Sequence, residues 1–333
     1  MRFIIAGSSG FLGTQLREAL LVRNHEVIRL VRSPGSTDSA VWDPYSGAVP
    51  MDQIEQADVV VNLAGSPTAG NPHSTPWAHE LEHSRVTTTR TLAQAIAASD
   101  RKPTFLAGNG ISFYGDRGDE VLDETADSRG DALLTRVTRA WQSAAQPAQD
   151  AGARLVIVRT APVLDGRSAP LKQLALLFKL GLGGPLGNGS QYFPVIGTTD
   201  WVHSMIWCAE HELHGPVNFC VPTVPTNAEF TAALATKVHR PAVLRVPAPV
   251  IKFAAAAAVA STLPADFDAE GFARNAKVNF IRLQAANDSR NLEDVREYTT
   301  PELFAEIKMN WMEEGSAPQK TDVVSLNAEV IDV

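Results

Sequence analysis

The sequence has few cysteines, no run of basic residues and no apolar segment long enough to cross a membrane. Its two cysteines, Cys208 and Cys220, cannot build a disulfide framework, and we expect both to be small buried side chains. Asp and Glu (37 residues) outnumber Lys and Arg (29 residues), so that the formal net charge is −8. This balance, without a basic patch, argues against a nucleic-acid partner.

No membrane-spanning or export segment is evident either. The most apolar stretch, "FAAAAAVAS" from Phe253, is too short to span a bilayer, and we expect it to form a packed, alanine-rich helix. Met1 and Arg2 lead directly into the first apolar run. We therefore expect a cytoplasmic protein without a membrane partner.

Three glycines near the start of the chain lie between an apolar run and a helical pattern, where they predict a nucleotide-binding loop. The stretch "MRFIIAGSSGFLG" ends an apolar run in Gly7, Gly10 and Gly13, and leucines then recur every four residues, as on one face of a helix. In this order of strand, loop and helix, the free N–H groups of the helix end point at a pyrophosphate. A plain turn is the alternative. The predicted nucleotide contacts in this loop are Gly7, Ser9, Gly10, Phe11, Leu12 and Gly13.

The end of the second apolar run selects the cofactor. "HEVIRLVR" ends at Arg32, where NAD-binding proteins place an acidic residue for the ribose hydroxyls. A guanidinium binds a 2′-phosphate through two hydrogen bonds, and no carboxylate stands beside this one in the sequence. NADP(H) is therefore favoured over NAD(H). The alternative is an exposed arginine at the end of a strand.

Strand and helix patterns alternate up to about residue 160, which is typical of a doubly wound parallel sheet. One of the predicted helices contains "LLTRVTRAWQSAAQPAQ". The strand "DVVVNLAG" ends in Leu63, Ala64 and Gly65, whose small size lets an adenosine or ribose lie against the backbone at the carboxyl edge of the sheet. We therefore predict a Rossmann-type α/β fold with a smaller C-terminal substrate domain.

The predicted domain division follows from these patterns. Residues 1–164 form the NADP-binding domain, and residues 165–312 form a substrate-binding domain whose elements can return to the first. Residues 313–333 form a C-terminal tail. A glycine-rich segment between Lys179 and Gln191 is expected to fold over a ligand or over the nicotinamide end of the cofactor, and these two side chains are candidates to line the path of an anionic substrate.

Several of these motifs together resemble a known family, the extended short-chain dehydrogenase/reductase superfamily. Within it they resemble an NADP-binding, sugar-nucleotide-epimerase-like branch of unassigned substrate. The resemblance runs from residue 1 to about 312, interrupted near 250 to 290. Besides the glycine loop, the matching motifs are Trp42–Asp43, "NLAG", Ser84–Arg85, Tyr114–Gly115, "FKLGLGGPLGNGSQYFP", "GPVNFCVPTVPTNAEFTAAL" and "YTTPELFAEI".

The resemblance fails at the residues that carry the superfamily's chemistry. That chemistry uses a serine, a tyrosine and a lysine, and alignment on "AWQSAA" places Gly110, Leu134 and Thr138 at these three positions. Tyr114 and Asn109 are the nearest replacements for proton transfer. The alternative is that Tyr114 forms a wall of the pocket.

Two further side chains gain a role from the resemblance, which implies that Glu80 and Arg85 contact the cofactor from its exposed side. The alternative is a solvated helix face with a Glu80–Arg85 ion pair. His73, His79 and His83 are close in sequence, and His79 and His83 are one helical turn apart. No third ligand of suitable spacing accompanies this pair, so we expect no metal site.

The leading functional hypothesis is an NADP(H)-dependent oxidoreductase or epimerase-like enzyme that acts on an unidentified small molecule. The rival hypothesis is a catalytically silent NADP(H)-binding sensor or regulatory protein. The missing serine, tyrosine and lysine favour the rival, whereas the glycine-rich segment at the cleft favours the enzyme. The substrate and the oligomeric state are not determined by the sequence.

Overall fold

The computed structural model describes residues 1–33, 35–68, 74–179, 183–240, 242 and 291. The chain divides into two units, Met1–Val246 and Pro247–Val333, and all of the described helices and strands belong to the first unit. The helix expected from Phe253 and the predicted tail at 313–333 lie outside the described residues.

Strands and helices alternate along the first unit. The strands are β1 (Arg2–Ala6), β2 (Glu26–Val31), β3 (Ser39–Val41), β4 (Val59–Asn62), β5 (Thr104–Gly110), β6 (Leu155–Thr160), β7 (Val163–Leu164), β8 (Ile196–Gly197) and β9 (Gly215–Phe219). The helices are α1 (Phe11–Val22), α2 (Met51–Ile54), α3 (Thr75–Ala98), α4 (Leu133–Ser143), α5 (Gln146–Asp150), α6 (Ala169–Lys179), α7 (Thr198–Glu210) and α8 (Asn227–Val238). A 3₁₀ turn, Ile111–Tyr114, follows β5.

A parallel sheet of seven strands in the order β3-β2-β1-β4-β5-β6-β9 forms the centre of this unit. In its register, Ile4 of β1 lies between Ile28 of β2 and Val60 of β4. The strand order reverses beside β1, and the carboxyl edge at such a reversal is where ligands bind in open α/β sheets. The predicted doubly wound α/β sheet is confirmed. β7 and β8 form a separate parallel pair.

Each face of the sheet is covered by its own helices, because successive strand residues point to opposite sides. Phe3 and Ile5 of β1 pack in one apolar cluster with residues of α1 and α7, including the fully buried Trp201. Ile4 and Ala6 pack in a second cluster with residues of α2, α3 and α5. The strands are thus apolar on both faces, which is why the sequence shows them as short continuous apolar runs.

One predicted element is wrong. The sequence pattern indicates a single helix over "LLTRVTRAWQSAAQPAQ", whereas α4 ends at Ser143 and α5 begins at Gln146. Pro147 has no N–H group to donate to the Ser143 carbonyl, and its ring would collide with that carbonyl in a continuous helix.

The two cysteines differ in burial. Cys208, on α7, is 1% exposed, as predicted, but Cys220 is only partly buried. Cys220 follows β9, which is the last strand of the sheet in the described part of the chain, so that one of its sides lacks a neighbouring strand. Burial raises the pKa of both thiols, that of Cys208 to about 11.

Arg154 attaches α7 to the central sheet. Its guanidinium donates hydrogen bonds to the carbonyl oxygens of Cys208 (2.8 Å), Ala209 (2.9 Å) and His211 (2.7 Å). Carbonyls at the end of a helix have no partner within the helix, and Arg154 satisfies them. Helix α7, which lies beyond residue 164, thus packs on the central sheet. The predicted domain boundaries at residues 164 and 312 stay a prediction.

Among the described residues, no helix combines the length and the apolar character that crossing a membrane requires.

Candidate functional site

Two loops meet at the carboxyl edge of the sheet, one after β1 and one after β4. Gly7 has a φ of +77°, and a Cβ atom on it would lie 2.5 Å from the carbonyl carbon of Leu63 and 2.7 Å from the nitrogen of Ala64. Only glycine combines this backbone conformation with such an approach. The backbones of the two predicted nucleotide-binding segments are therefore in direct contact.

Helix α1 begins in the first loop without a side-chain cap. Gly10 is the N-cap residue, so no capping side chain accepts a hydrogen bond from the amides of the first turn. A Cβ atom on Gly10 would meet only the Gly7 carbonyl oxygen, at 3.3 Å, whereas one on Gly13 would lie 2.2 Å from that oxygen. Gly13 is thus required by packing, whereas a side chain on Gly10 would make one tight contact, and the positive end of the helix carries no side chain there.

The other predicted residues of these loops line the same edge. Ser9 and Phe11 are exposed, and Leu12 is half-buried against the core. Gly65 lies under the side chain of Arg85, because a Cβ atom on it would be 3.2 Å from Arg85 Cγ. The edge is therefore formed mostly by backbone, with few side chains above it.

A buried polar network fixes the loop after β4. Asn62, which is fully buried, donates from Nδ2 to Thr89 Oγ1 (2.8 Å) and accepts the amide of Ala64 at Oδ1 (3.0 Å). Trp141 Nε1 donates to the same Thr89 oxygen (2.8 Å), and Thr88 donates to the Ala64 carbonyl (3.2 Å). These bonds hold the "NLAG" backbone against α3 and α4.

Arg32 lies at one end of this edge. It directly follows β2 and is exposed. Tyr45 stacks on His83 with ring centroids 5.5 Å apart. Burial raises the pKa of Tyr45, the charge of Glu80 adds to the rise, and the charge of Arg32 opposes it. Arg32 and Glu80 thus act electrostatically on the same aromatic group.

The acidic residue beyond Arg32 is engaged elsewhere. Asp38 pairs with Arg29 (2.8 Å) and with Arg17 (3.5 Å). The Arg29 guanidinium, helped by the Ser36 hydroxyl, holds the pKa of Asp38 well below its usual range. Its negative charge is therefore already compensated by two arginines.

Arg85 of α3 lies against Trp141 of α4, whereas His83 of the same helix lies against Tyr45. Its guanidinium donates to the Leu81 carbonyl (3.0 Å) and to Thr68 Oγ1 (2.9 Å), and its Cζ lies 5.3 Å from the centre of the Trp141 ring. The ion pair with Glu80 that the sequence allowed is not formed among the described residues, and Glu80 is exposed. Burial lowers the pKa of Arg85.

Tyr114 is buried in a second polar network, at the carboxyl ends of β5 and β6. Its hydroxyl donates to Asn218 Oδ1 (2.6 Å) and accepts from the guanidinium of Arg159 (2.8 Å). Arg159 is 2% exposed, lies over the Phe113 ring with its Cζ 3.7 Å from the centroid, and donates to Gln142 Oε1 (3.0 Å). Both hydrogen bonds of the tyrosine hydroxyl are thus made within the protein.

Two of the three positions aligned with the superfamily's reactive residues, Gly110 and Thr138, lie close to Asn109. A Cβ atom on Gly110 would be 3.6 Å from Thr138 Cγ2. Thr138 donates its hydroxyl to the Leu134 carbonyl (2.8 Å), and Leu134 is 39% exposed. Asn109 donates from its amide to the Thr138 carbonyl (3.1 Å). The structure therefore packs β5 against α4 at Gly110 and Thr138, and the alignment of these positions with the superfamily's reactive residues stays a prediction.

The glycine-rich segment is anchored to α8. Within residues 183–189, Leu186 donates its amide to Asn227 Oδ1 (2.7 Å), and Gly189 accepts from the amide of Ala228 (2.9 Å). Gln191 is exposed and donates to the Leu186 carbonyl (3.0 Å). Lys179 is exposed at the end of α6. The predicted roles of Lys179 and Gln191 stay predictions.

The described histidines of this group contact each other without forming a metal site. His79 and His83 stack with ring centroids 5.4 Å apart, and His73 lies outside the described residues. No group of three metal-binding side chains occurs in the part of the chain that the structure describes.

Sequence reasoning missed the two polar networks. Asn62 and Arg159 are polar residues within otherwise apolar strands, and this interruption of the apolar pattern was the available signal. The partners Thr89, Trp141 and Asn218 lie far along the chain, and no local pattern indicates such pairings.

Two family models match the chain. Residues 3–164 match the NAD dependent epimerase/dehydratase family. Residues 253–333 match a Tim44-like domain. The second match includes the predicted tail at 313–333 and begins within the segment near 250 to 290 where the sequence resemblance was interrupted.

Individual proteins match over most of their length. An epimerase family protein of Mycobacterium leprae is 36% identical over 252 residues, which are 75% of this chain and 81% of the relative. The epimerase family protein SDR39U1 of Bos taurus is 31% identical over 314 residues, which are 92% of this chain and 99% of the relative. The crystal structure of the human epimerase family protein SDR39U1 (isoform 2) with NADPH superposes with a TM-score of 0.66 at 30% identity, covering 76% of this chain and 85% of that one.

The glycine geometry predicts that the first loop responds unequally to substitution. Gly13→Ala should lower the free energy of unfolding by about 1–3 kcal/mol or more, because its Cβ collides with backbone. Gly10→Ala should lower it by less than about 1 kcal/mol, the cost of a poor N-cap residue. Chemical denaturation without ligand measures both values. Equal losses in the two variants would show that Gly10 also serves the backbone.

Proposed function

Because the chain belongs to the epimerase/dehydratase family, as its motifs predicted, we propose that it binds NADP(H) and acts as an atypical oxidoreductase or epimerase-like enzyme on a small molecule. The observation that carries the proposal is the combination, at one sheet edge, of an uncapped helix end above Gly10 with Arg32. NADPH binding by the human relative SDR39U1 supports the choice of cofactor.

The residues at the edge fit the phosphates of the cofactor. The first-turn amides of α1 and the absence of a side chain at Gly10 suit a pyrophosphate, which binds at helix N-termini through N–H groups and the helix dipole. The residues proposed to contact the cofactor here are Gly7, Ser9, Gly10, Phe11, Leu12, Gly13, Leu63, Ala64 and Gly65.

Arg32 is proposed to bind the 2′-phosphate that distinguishes NADP(H) from NAD(H). It is exposed, and the structure describes no ion pair for it. Asp38, which would repel a phosphate if its charge were free, is held by Arg29 and Arg17. The neighbouring Tyr45 and His83 rings offer a flat surface for the adenine.

Proton transfer is the step for which the chain offers the fewest suitable side chains. When bound, the cofactor supplies hydride transfer at its nicotinamide, and protein groups have to hold the substrate and move a proton. Gly110, Leu134 and Thr138 bring no acid or base to the positions aligned with serine, tyrosine and lysine. Tyr114 and Asn109 remain the proposed candidates, although Tyr114 would first have to exchange its bond to Asn218.

A catalytically silent NADP(H)-binding sensor is the second candidate function. The observation that favours it is that the polar groups of Tyr114 and Asn109 are already hydrogen-bonded within the protein. The cytoplasmic location remains part of the proposal in either case.

The first test of the proposal concerns the glycine loop. Gly10→Ala should abolish NADPH binding, measured by fluorescence titration, because its Cβ would occupy the space proposed for the pyrophosphate. The unliganded variant should keep its melting temperature to within a few degrees. Unchanged binding by a folded variant would refute the pyrophosphate site.

Cofactor choice gives a second test. Wild type should bind NADPH at least tenfold more tightly than NADH, a difference of about 1.4 kcal/mol. Arg32→Ala should lose this preference. Arg23→Ala should keep it, because Arg23 is the C-cap residue of α1 and lies at the end of the helix away from Gly10. Titration of both nucleotides into the three proteins is the measurement. A preference that survives in Arg32→Ala would exclude the proposed 2′-phosphate contact.

The chemistry gives a third test, in which sugar nucleotides, aldehydes and ketones are assayed with NADPH or NADP+. Sugar nucleotides should turn over more slowly than about 1 per second, the low end of ordinary enzymes. If Tyr114 moves the proton, Tyr114→Phe should lower any hydride-transfer activity by roughly 10² to 10⁴. Tyr192→Phe removes a hydroxyl from an exposed tyrosine and should have no effect on this activity. Fast turnover that is insensitive to Tyr114→Phe would contradict the assignment.

A further inference from the structure

Arg85 is a partly desolvated cation without an acidic partner among the described residues. Its guanidinium donates to one backbone carbonyl and one hydroxyl, those of Leu81 and Thr68, and both acceptors are neutral. Burial is the cause that lowers its pKa, and no carboxylate opposes it. Removing a charge from water without a counter-charge is unfavourable, so an anion that reached this side chain would be bound strongly.

Contacts with Gly65 and Trp141 define the position of the guanidinium. Its Cζ lies 3.5 Å from the position that a Cβ atom on Gly65 would occupy, just above the carboxyl end of β4. It also lies over the Trp141 ring, and Trp141 is three residues after Thr138 on α4. Residues three apart share one face of a helix. Arg85 is therefore a cation placed between the carboxyl end of β4 and α4.

The resemblance implied a cofactor contact for Glu80 and Arg85, but the phosphates proposed for the cofactor have partners other than Arg85. The 2′-phosphate is assigned to Arg32, whose charge acts on Tyr45, and Tyr45 stacks on His83 of α3. The pyrophosphate is assigned to the start of α1, on the opposite face of the sheet from α3. Arg85 faces α4 instead, beside β5, which is the half of the sheet edge left for the nicotinamide and the substrate.

We propose that Arg85 binds a carboxylate or phosphate group of the substrate, so that the substrate of this protein is an anion. The inference rests on the proposed function, because it assigns the cofactor's own phosphates to other residues. A guanidinium presents parallel N–H groups that match the two oxygens of either anion. The Trp141 ring below holds the guanidinium plane in position, as cation–π contacts do.

The test uses the full chain saturated with NADP+ and two simple probes, malonate for a carboxylate and inorganic phosphate for a phosphate. Binding is measured by isothermal titration calorimetry at constant ionic strength. At least one probe should bind wild type, and Arg85→Met should weaken its binding tenfold or more. Arg85→Lys should keep part of the affinity. The tighter of the two probes identifies the class of anion.

The matched control is Arg90→Met, an exposed arginine on the same helix, which should bind the probe like wild type. Arg85→Met keeps the aliphatic contact with Gly65, and its melting temperature reports whether it folds. Its Kd for NADPH should stay within about threefold of the wild-type value, a difference below about 1 kcal/mol, because the cofactor's phosphates are assigned to other residues.

Two results would overturn the inference while NADPH binding by wild type stays intact. One is a tenfold loss of NADPH affinity in Arg85→Met, which would place Arg85 in the cofactor site. The other is probe binding that is absent from wild type or equal in wild type and Arg85→Met. Failure of wild type to bind NADPH would instead overturn the proposed function together with this inference.

Discussion

The contact between the backbones of two loops is the constraint on which the site depends. Gly7 lies against Leu63 and Ala64, and Gly13 lies against Gly7, at distances that leave no room for a side chain. This packing brings the start of α1 to the point where β1 and β4 end. The helix can then present its first-turn amides to a ligand, because its N-cap residue is a glycine without a capping side chain.

A buried polar network extends this constraint across the sheet edge. Asn62 bonds the backbone of its own loop and also Thr89 of α3, and Trp141 of α4 bonds the same threonine. Buried polar groups are costly unless each finds a partner, so a fully paired set favours one arrangement of strand, loop and helices. The same network places Trp141 under Arg85, which connects the rigidity of the fold to the proposed anion site.

The second network has the opposite consequence for chemistry. Arg159, Tyr114 and Asn218 satisfy one another at the ends of β5, β6 and β9, and Thr138 bonds its own helix. Groups that are already paired do not transfer protons without breaking those bonds. The site therefore combines a well-formed place for a nucleotide with little free acid–base capacity, which is what makes both an atypical enzyme and a sensor consistent with it.

The parallel sheet, the glycine loop and the position of Arg32 could all be predicted from the sequence alone, because each depends on residues adjacent in the chain. Apolar runs define β1 and β2, and glycine spacing defines the turn between β1 and α1. Prediction failed where a local pattern was ambiguous, as at Pro147, which divides one apparent helix into α4 and α5. The partners of Asn62, Tyr114 and Arg85 emerged only from the folded chain, since the side chains that bond or flank them lie tens of residues away and meet only when the strands align.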